Sequence, residues 1–194
     1  MRMKISPTTA TVTALALLTA AVLSPAVAQA TVSSGLSAQR VAPTSALQPL
    51  RKLTGNWTCT GTTTLPDGSQ LTFDTSSTAR FILDGNFMRW QETNSIDGTP
   101  IASAEYIWGW DAQQGQFTAD RFDNSGQRGA QTTPGWVGNV LTSTGVLIQP
   151  DGTSLPLTTT ITKTARNAFT VQAAVSLGAA AGGASVVSES SCVR

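Results

Sequence analysis

The chain has 194 residues with 12 basic and 11 acidic side chains, two Cys and no His. Without imidazole, a Ser-His-Asp triad, a His-assisted Cys nucleophile, a His-ligated zinc and a His-ligated haem are all excluded within this chain. The near-balanced charge offers no electrostatic footprint for nucleic acid or anionic lipid, and neither is expected as a partner.

Met1-Arg2-Met3-Lys4 gives a cationic start, followed by an apolar run from about Ala10 to Leu23 and then by Ser24-Pro25-Ala26-Val27-Ala28-Gln29-Ala30. This is the three-part layout of a secretory signal, and residues 1–30 are read as one, with cleavage after Ala28 or after Ala30. The apolar run is broken by Thr13 and Thr19 and falls short of the roughly 20 residues of a spanning helix. The mature chain is therefore expected to be secreted or periplasmic, with no membrane insertion after cleavage. Loss of Arg2 and Lys4 leaves ten basic against eleven acidic groups. What remains is long enough for one domain with a real core and too short for two.

Residues 31–43, rich in Ser, Ala and Gln without a period, read as a flexible spacer. The domain is expected over residues 44–194. It opens with Leu47, Leu50 and Leu53 at a spacing of three, which predicts a short helix or 3₁₀ turn capping the rest of the domain.

From Gly55 the text changes to short Thr-, Val- and aromatic-rich runs. Turn signals separate them at Pro66-Asp67-Gly68, Asp84-Gly85-Asn86, Asp97-Gly98, Asp111 to Gly115, Asn124-Ser125-Gly126, Gly138-Asn139, Pro150-Asp151-Gly152, Arg166-Asn167 and Leu177 to Gly183. Each supplies the preset or positive backbone dihedral of a hairpin. Such punctuation predicts an all-β domain, an up-and-down antiparallel barrel of about ten strands that closes to avoid exposed edges. The isolated Asp-Gly corners lack the clustered oxygens of a calcium loop and read as turns; no metal or other cofactor is expected.

Cys59 falls in the first predicted strand and Cys192 in the last. In a closed meander those strands are neighbours, so a Cys59–Cys192 disulfide would staple the seam, as an oxidising compartment permits. Neither Cys has a CxxC partner or an adjacent cation to favour a reactive thiolate.

Leu53-Thr54-Gly55-Asn56-Trp57 after a short helical turn resembles the GxW opening of lipocalins and other calycins, with Gly55 and Trp57 in structural roles. Ile82-Leu83-Asp84-Gly85-Asn86-Phe87-Met88, Gly109-Trp110-Asp111 and Phe117-Thr118-Ala119-Asp120-Arg121-Phe122-Asp123 extend the likeness. Together, over about Leu50 to Arg194, they resemble a bacterial domain-of-unknown-function family with a lipocalin-like barrel, here as a secreted member. The resemblance implies a ten-stranded calycin-like barrel with an interior cavity and no defined activity. Related ten-stranded barrels hold haem through a His that this chain lacks. Lipocalins also lay a late-strand basic side chain over the opening Trp; Arg194, Lys163 and Arg166 are the candidates here.

Alternate residues of a strand share a face, which groups Met88, Trp90 and Glu92, then Tyr106, Trp108 and Trp110, then Phe117, Ala119 and Arg121. If these sets point inward they make an aromatic cavity with a few polar fixtures, the usual character of a small-molecule site. Trp90, Glu92, Tyr106, Trp108 and Arg121 are the candidate ligand-binding residues, and a small, partly apolar molecule is the expected partner. The bland alternative is that Trp57, Trp90, Trp108, Trp110 and Trp136 fill the core of a solid barrel acting as a surface interaction or structural module. A third reading is an enzyme using two of Glu92, Glu105, Asp120 and Asp123 as acid and base; no catalytic residue is assigned by the spacing.

Overall fold

The computed structural model describes residues 45–178 and 182–194. The expected leader and spacer, residues 1–43, lie outside the described residues. The first element is a 3₁₀ helix, Ser45–Leu53. A repeat of three residues per turn puts every third side chain on one line, so Leu47, Leu50 and Leu53 share a face and all three are fully buried. Pro49 inside the segment lacks the N–H that a regular α-helix would use.

Eleven strands come next: β1 (Gly55–Thr64), β2 (Gln70–Ile82), β3 (Phe87–Ile96), β4 (Thr99–Asp111), β5 (Gln116–Asp123), β6 (Arg128–Thr133), β7 (Trp136–Val137), β8 (Val140–Ile148), β9 (Ser154–Ala165), β10 (Ala168–Ser176) and β11 (Ser185–Val193). All pairings are antiparallel. Each strand pairs with its sequence neighbours except around β7, a two-residue flap on β8; β6 pairs directly with β8. With β1 against β11, the result is the expected closed up-and-down barrel of ten strands. All nine turn signals fall between strands, with positive φ at Gly68, Gly85, Gly98, Gly115, Gly126, Gly138 and Gly152 among them.

The β6–β8 junction is where the barrel shuts, and the backbones approach closely there. A Cβ on Gly145 would overlap the Ala130 carbonyl oxygen. On the opposite side, Cys59 and Cys192 are direct partners in the β1–β11 ladder, with Cα atoms 4.0 Å apart and a disulfide between them.

One end of the barrel is filled. Leu47, Leu50 and Leu53 pack with Trp57, Met88, Phe117, Leu141 and Phe169. Trp57 meets Phe169 edge-on at 4.5 Å between ring centres and donates its indole N–H to Leu53 O at 2.8 Å. Trp136 ties the helix to the rim by donating to Pro49 O at 3.1 Å. Trp110 shares the parity of Trp108, as expected, but sits at this rim against Phe117 at 4.9 Å and is partly exposed.

Of the three basic candidates for the opening Trp, two take the position. Arg194 Cζ lies 4.1 Å and Lys163 Nζ 4.8 Å from the centre of the Trp57 ring. Arg194 also donates to Thr54 O, and its guanidinium occupies the space a side chain at Gly55 would need. Gly55 has φ +128, a conformation that L side chains rarely adopt. Arg166 is exposed in the β9–β10 turn.

Candidate functional site

Toward the other end the inward positions carry smaller side chains and the barrel is hollow. A cavity of about 360 Å³ is bounded by Trp90, Glu92, Tyr106, Trp108 and Arg121, all five of the residues expected to make a binding site. They come together because β3, β4 and β5 are consecutive and in register: Trp90 is opposite Tyr106, and Tyr106 is opposite Arg121. The next position across the sheet is Gly129, where the missing side chain leaves room for the Arg121 stem; a Cβ there would sit 3.4 Å from Arg121 Cβ.

Three of these side chains form a chain of hydrogen bonds. Arg121 Nε donates to the Tyr106 hydroxyl at 3.2 Å, and that hydroxyl donates to Glu92 Oε1 at 3.2 Å. Arg121 Nη1 also pairs with Asp123 Oδ2 at 2.8 Å. Asp123 is fixed in turn by the backbone N–H groups of Ser125 and Gln127 and by the Ser125 hydroxyl. A polyvalent carboxylate at a hairpin corner thus anchors the guanidinium against the wall.

Burial pushes the Glu92 carboxyl above its ordinary value, and the Arg121 charge and the Tyr106 hydrogen bond offset this only in part. Burial, reinforced by the Glu92 charge, also raises the Tyr106 phenol, which stays protonated. Burial alone would lower Arg121, but Tyr106 and Asp123 outweigh it and its value rises. Burial would raise Asp123; the Ser125 hydrogen bond, the Arg121 charge and the Gln127 N–H overcome that and lower it.

Further polar side chains line the cavity that the sequence pattern did not single out. Thr75 donates to Asn94 Oδ1 at 2.6 Å, and Gln131 donates to Thr159 Oγ1 at 3.0 Å. Asn94 has the parity of Glu92 and was findable on that ground; Gln131 stands alone in a run of small residues and carried no signal. Three buried polar atoms of lining residues, Ser77 Oγ, Trp90 Nε1 and Arg121 Nη1, have no hydrogen-bond partner among the described residues, Arg121 Nη1 being held by its ion pair with Asp123 alone. The facing wall sets Ile161, Val171, Ala173 and the Cys59–Cys192 bridge among the small hydroxyl side chains of Ser143, Thr159, Ser188 and Ser190. Leu71 and Ile101 stand at the mouth, both about half exposed.

The acids proposed for catalysis do not converge. Glu92 is the one carboxylate in the cavity lining among the described residues. Glu105 points outward and accepts from Gln91, Asp120 is exposed, and Asp123 is held by its turn. No group of three or more Cys, Asp or Glu side chains is placed to hold a metal ion among the described residues.

The model of a family described as "Protein of unknown function (DUF1579)" matches residues 42–173, from just ahead of the helix into β10, more than half of the chain. The chain belongs to the DUF1579 family. Comparison with curated proteins gave no match. Among solved structures, the crystal structure of Rv2717c from M. tuberculosis resembles this DUF1579 chain with a TM-score of 0.64 at 14% identity, covering 79% of this chain and 99% of that one. At that identity the likeness concerns the fold.

Proposed function

We propose that this protein is exported and binds a small, partly apolar molecule inside its barrel. One observation carries the reading: a cavity of about 360 Å³, open at one end, with an Arg121–Tyr106–Glu92 hydrogen-bond chain on one wall and a mix of apolar and small hydroxyl side chains on the other. Its volume lies at the small end of the usual range of ligand sites, and few convergent polar groups in an apolar lining are their normal character. Leaving buried donors unpaired costs about 1–3 kcal/mol each, so Ser77 Oγ and Trp90 Nε1 favour an occupant that can bond to them. Half-exposed Leu71 and Ile101 make an apolar lip past which such a molecule enters. Export is supported by the signal-like residues 1–30 and by a disulfide of the kind that persists outside the reducing cytosol.

The test is uptake of N-phenylnaphthylamine, a neutral dye that brightens in apolar surroundings. Saturable uptake at one site is expected, together with quenching of Trp90 and Trp108 fluorescence. Ala173→Phe projects a ring into the cavity; it should abolish uptake and leave the circular dichroism spectrum unchanged. Undiminished uptake by a folded Ala173→Phe protein would place the dye elsewhere and sink the reading. Export is checked separately by fractionating cells that express the full chain and by sequencing the N-terminus of the product.

A further inference from the structure

The charges around the cavity are unevenly compensated, and this narrows the chemistry of the occupant. Glu92 and Arg121 are the two charged side chains in the lining among the described residues. Arg121 already has its counter-ion in Asp123 and spends its Nε–H on Tyr106. Among the described residues Glu92 has the Tyr106 hydroxyl as its one hydrogen-bond partner and no cation at bonding distance. Two carboxylates therefore share a single guanidinium, and the group facing the cavity that is only partly compensated is an acid, Glu92.

Resting on the ligand-binding reading above, we propose that the occupant is an amphipathic amine, with its ammonium against Glu92 and its apolar part along Trp90, Trp108 and Phe73. Two features of the wall fit a cation. Ser77 lies directly across the ladder from Glu92, and its unpartnered hydroxyl oxygen offers a second acceptor for an ammonium, which has three donors and no acceptor of its own. Trp90, two residues before Glu92 on the same face, presents an aromatic surface, which attracts cations through its negative face. An anionic occupant would instead have to share Arg121 with Asp123 and Tyr106 and would hold Glu92 in its protonated form. The Trp90 N–H adds one requirement, an acceptor atom elsewhere on the ligand. Where the empty barrel holds Glu92 protonated, seating the ammonium sends that proton to solvent and leaves an ion pair.

The test uses the oxidised full chain loaded with N-phenylnaphthylamine and displaced by three near-isosteric competitors: phenylbutylamine, phenylbutanol and phenylbutyrate. The amine should displace the dye at a concentration at least about tenfold lower than the alcohol, as a charge-assisted hydrogen bond predicts, and the carboxylate should be weakest. Glu92→Gln keeps an acceptor for Tyr106 and should bring the amine down to the level of the alcohol, read as the ratio of the two displacement midpoints measured on that same variant. Equal displacement by all three, or displacement best by phenylbutyrate, would overturn the amine assignment while leaving the binding cavity standing. Failure of the dye itself to enter would overturn both.

Discussion

Removing the Cys59–Cys192 bridge should cost the fold more than any other pairwise change in the molecule. The bridge joins residues 133 apart in sequence, and a chain-entropy treatment assigns about 5 kcal/mol to closing a loop of that length in the unfolded chain, against roughly 2–5 kcal/mol for native disulfides measured in small domains. The barrel has a second closure, β6 on β8, but its partners are never more than about 20 residues apart, as in Arg128 and Ile148. On a logarithmic loop-entropy law, joining β1 to β11 costs about 1.7 kcal/mol more than that. Urea unfolding of Cys59→Ala/Cys192→Ala against the oxidised parent measures the difference. For a slope of about 2 kcal/mol/M, a loss of 4 kcal/mol moves the midpoint down by about 2 M, and the slope itself should rise because an unbridged unfolded chain exposes more surface. A midpoint shift below about 0.5 M with an unchanged slope would refute the argument and show that the β1–β11 ladder closes the barrel without help.

Gly145→Ala should destabilise the fold by more than about 3 kcal/mol in the same assay, because its Cβ would overlap the Ala130 carbonyl and part β8 from β6; Gly152→Ala, with a positive φ but nothing near its Cβ, should cost less. Glu92 holds its proton to higher pH when folded than when unfolded. It is therefore without penalty below the ordinary glutamate value, and the folded state loses stability as pH rises from there through the raised value. Glu92→Gln should consequently gain on the parent across that window and keep a constant advantage above it, and a difference in unfolding free energy that stays flat with pH would contradict the burial of this carboxyl.

Turn chemistry made the strand count legible in the sequence. A hairpin corner needs a residue that tolerates positive φ or presets the bend, and Gly or Asp-Gly stood at nearly every one. The partnership of Cys59 with Cys192 followed from the same count, since the first and last strands of a closed meander must meet. Parity correctly grouped Trp90 with Glu92, Tyr106 with Trp108, and Ala119 with Arg121, but period two names faces without saying which is inside. That is decided by closure, a long-range event with no local signature. Nor could a hollow interior be read off, because it depends on summed volumes: Ala173, Ser77, Ser143 and Gly129 leave space at positions where larger side chains would have made the solid barrel that the sequence equally allowed. The role of Arg194 and Lys163 together over Trp57 was open for a related reason, as both reach that ring from far later in the sequence, Lys163 from β9 and Arg194 from just beyond β11.

The leucine face of the 3₁₀ helix fills one end of the barrel, while the hairpins β1–β2, β3–β4, β5–β6, β8–β9 and β10–β11 all turn at the other. The packed plug and the cavity thereby lie at opposite poles of one sheet, so substitutions around the mouth leave Leu47, Leu50, Leu53 and Trp57 undisturbed, and repacking the plug leaves the opening as it is.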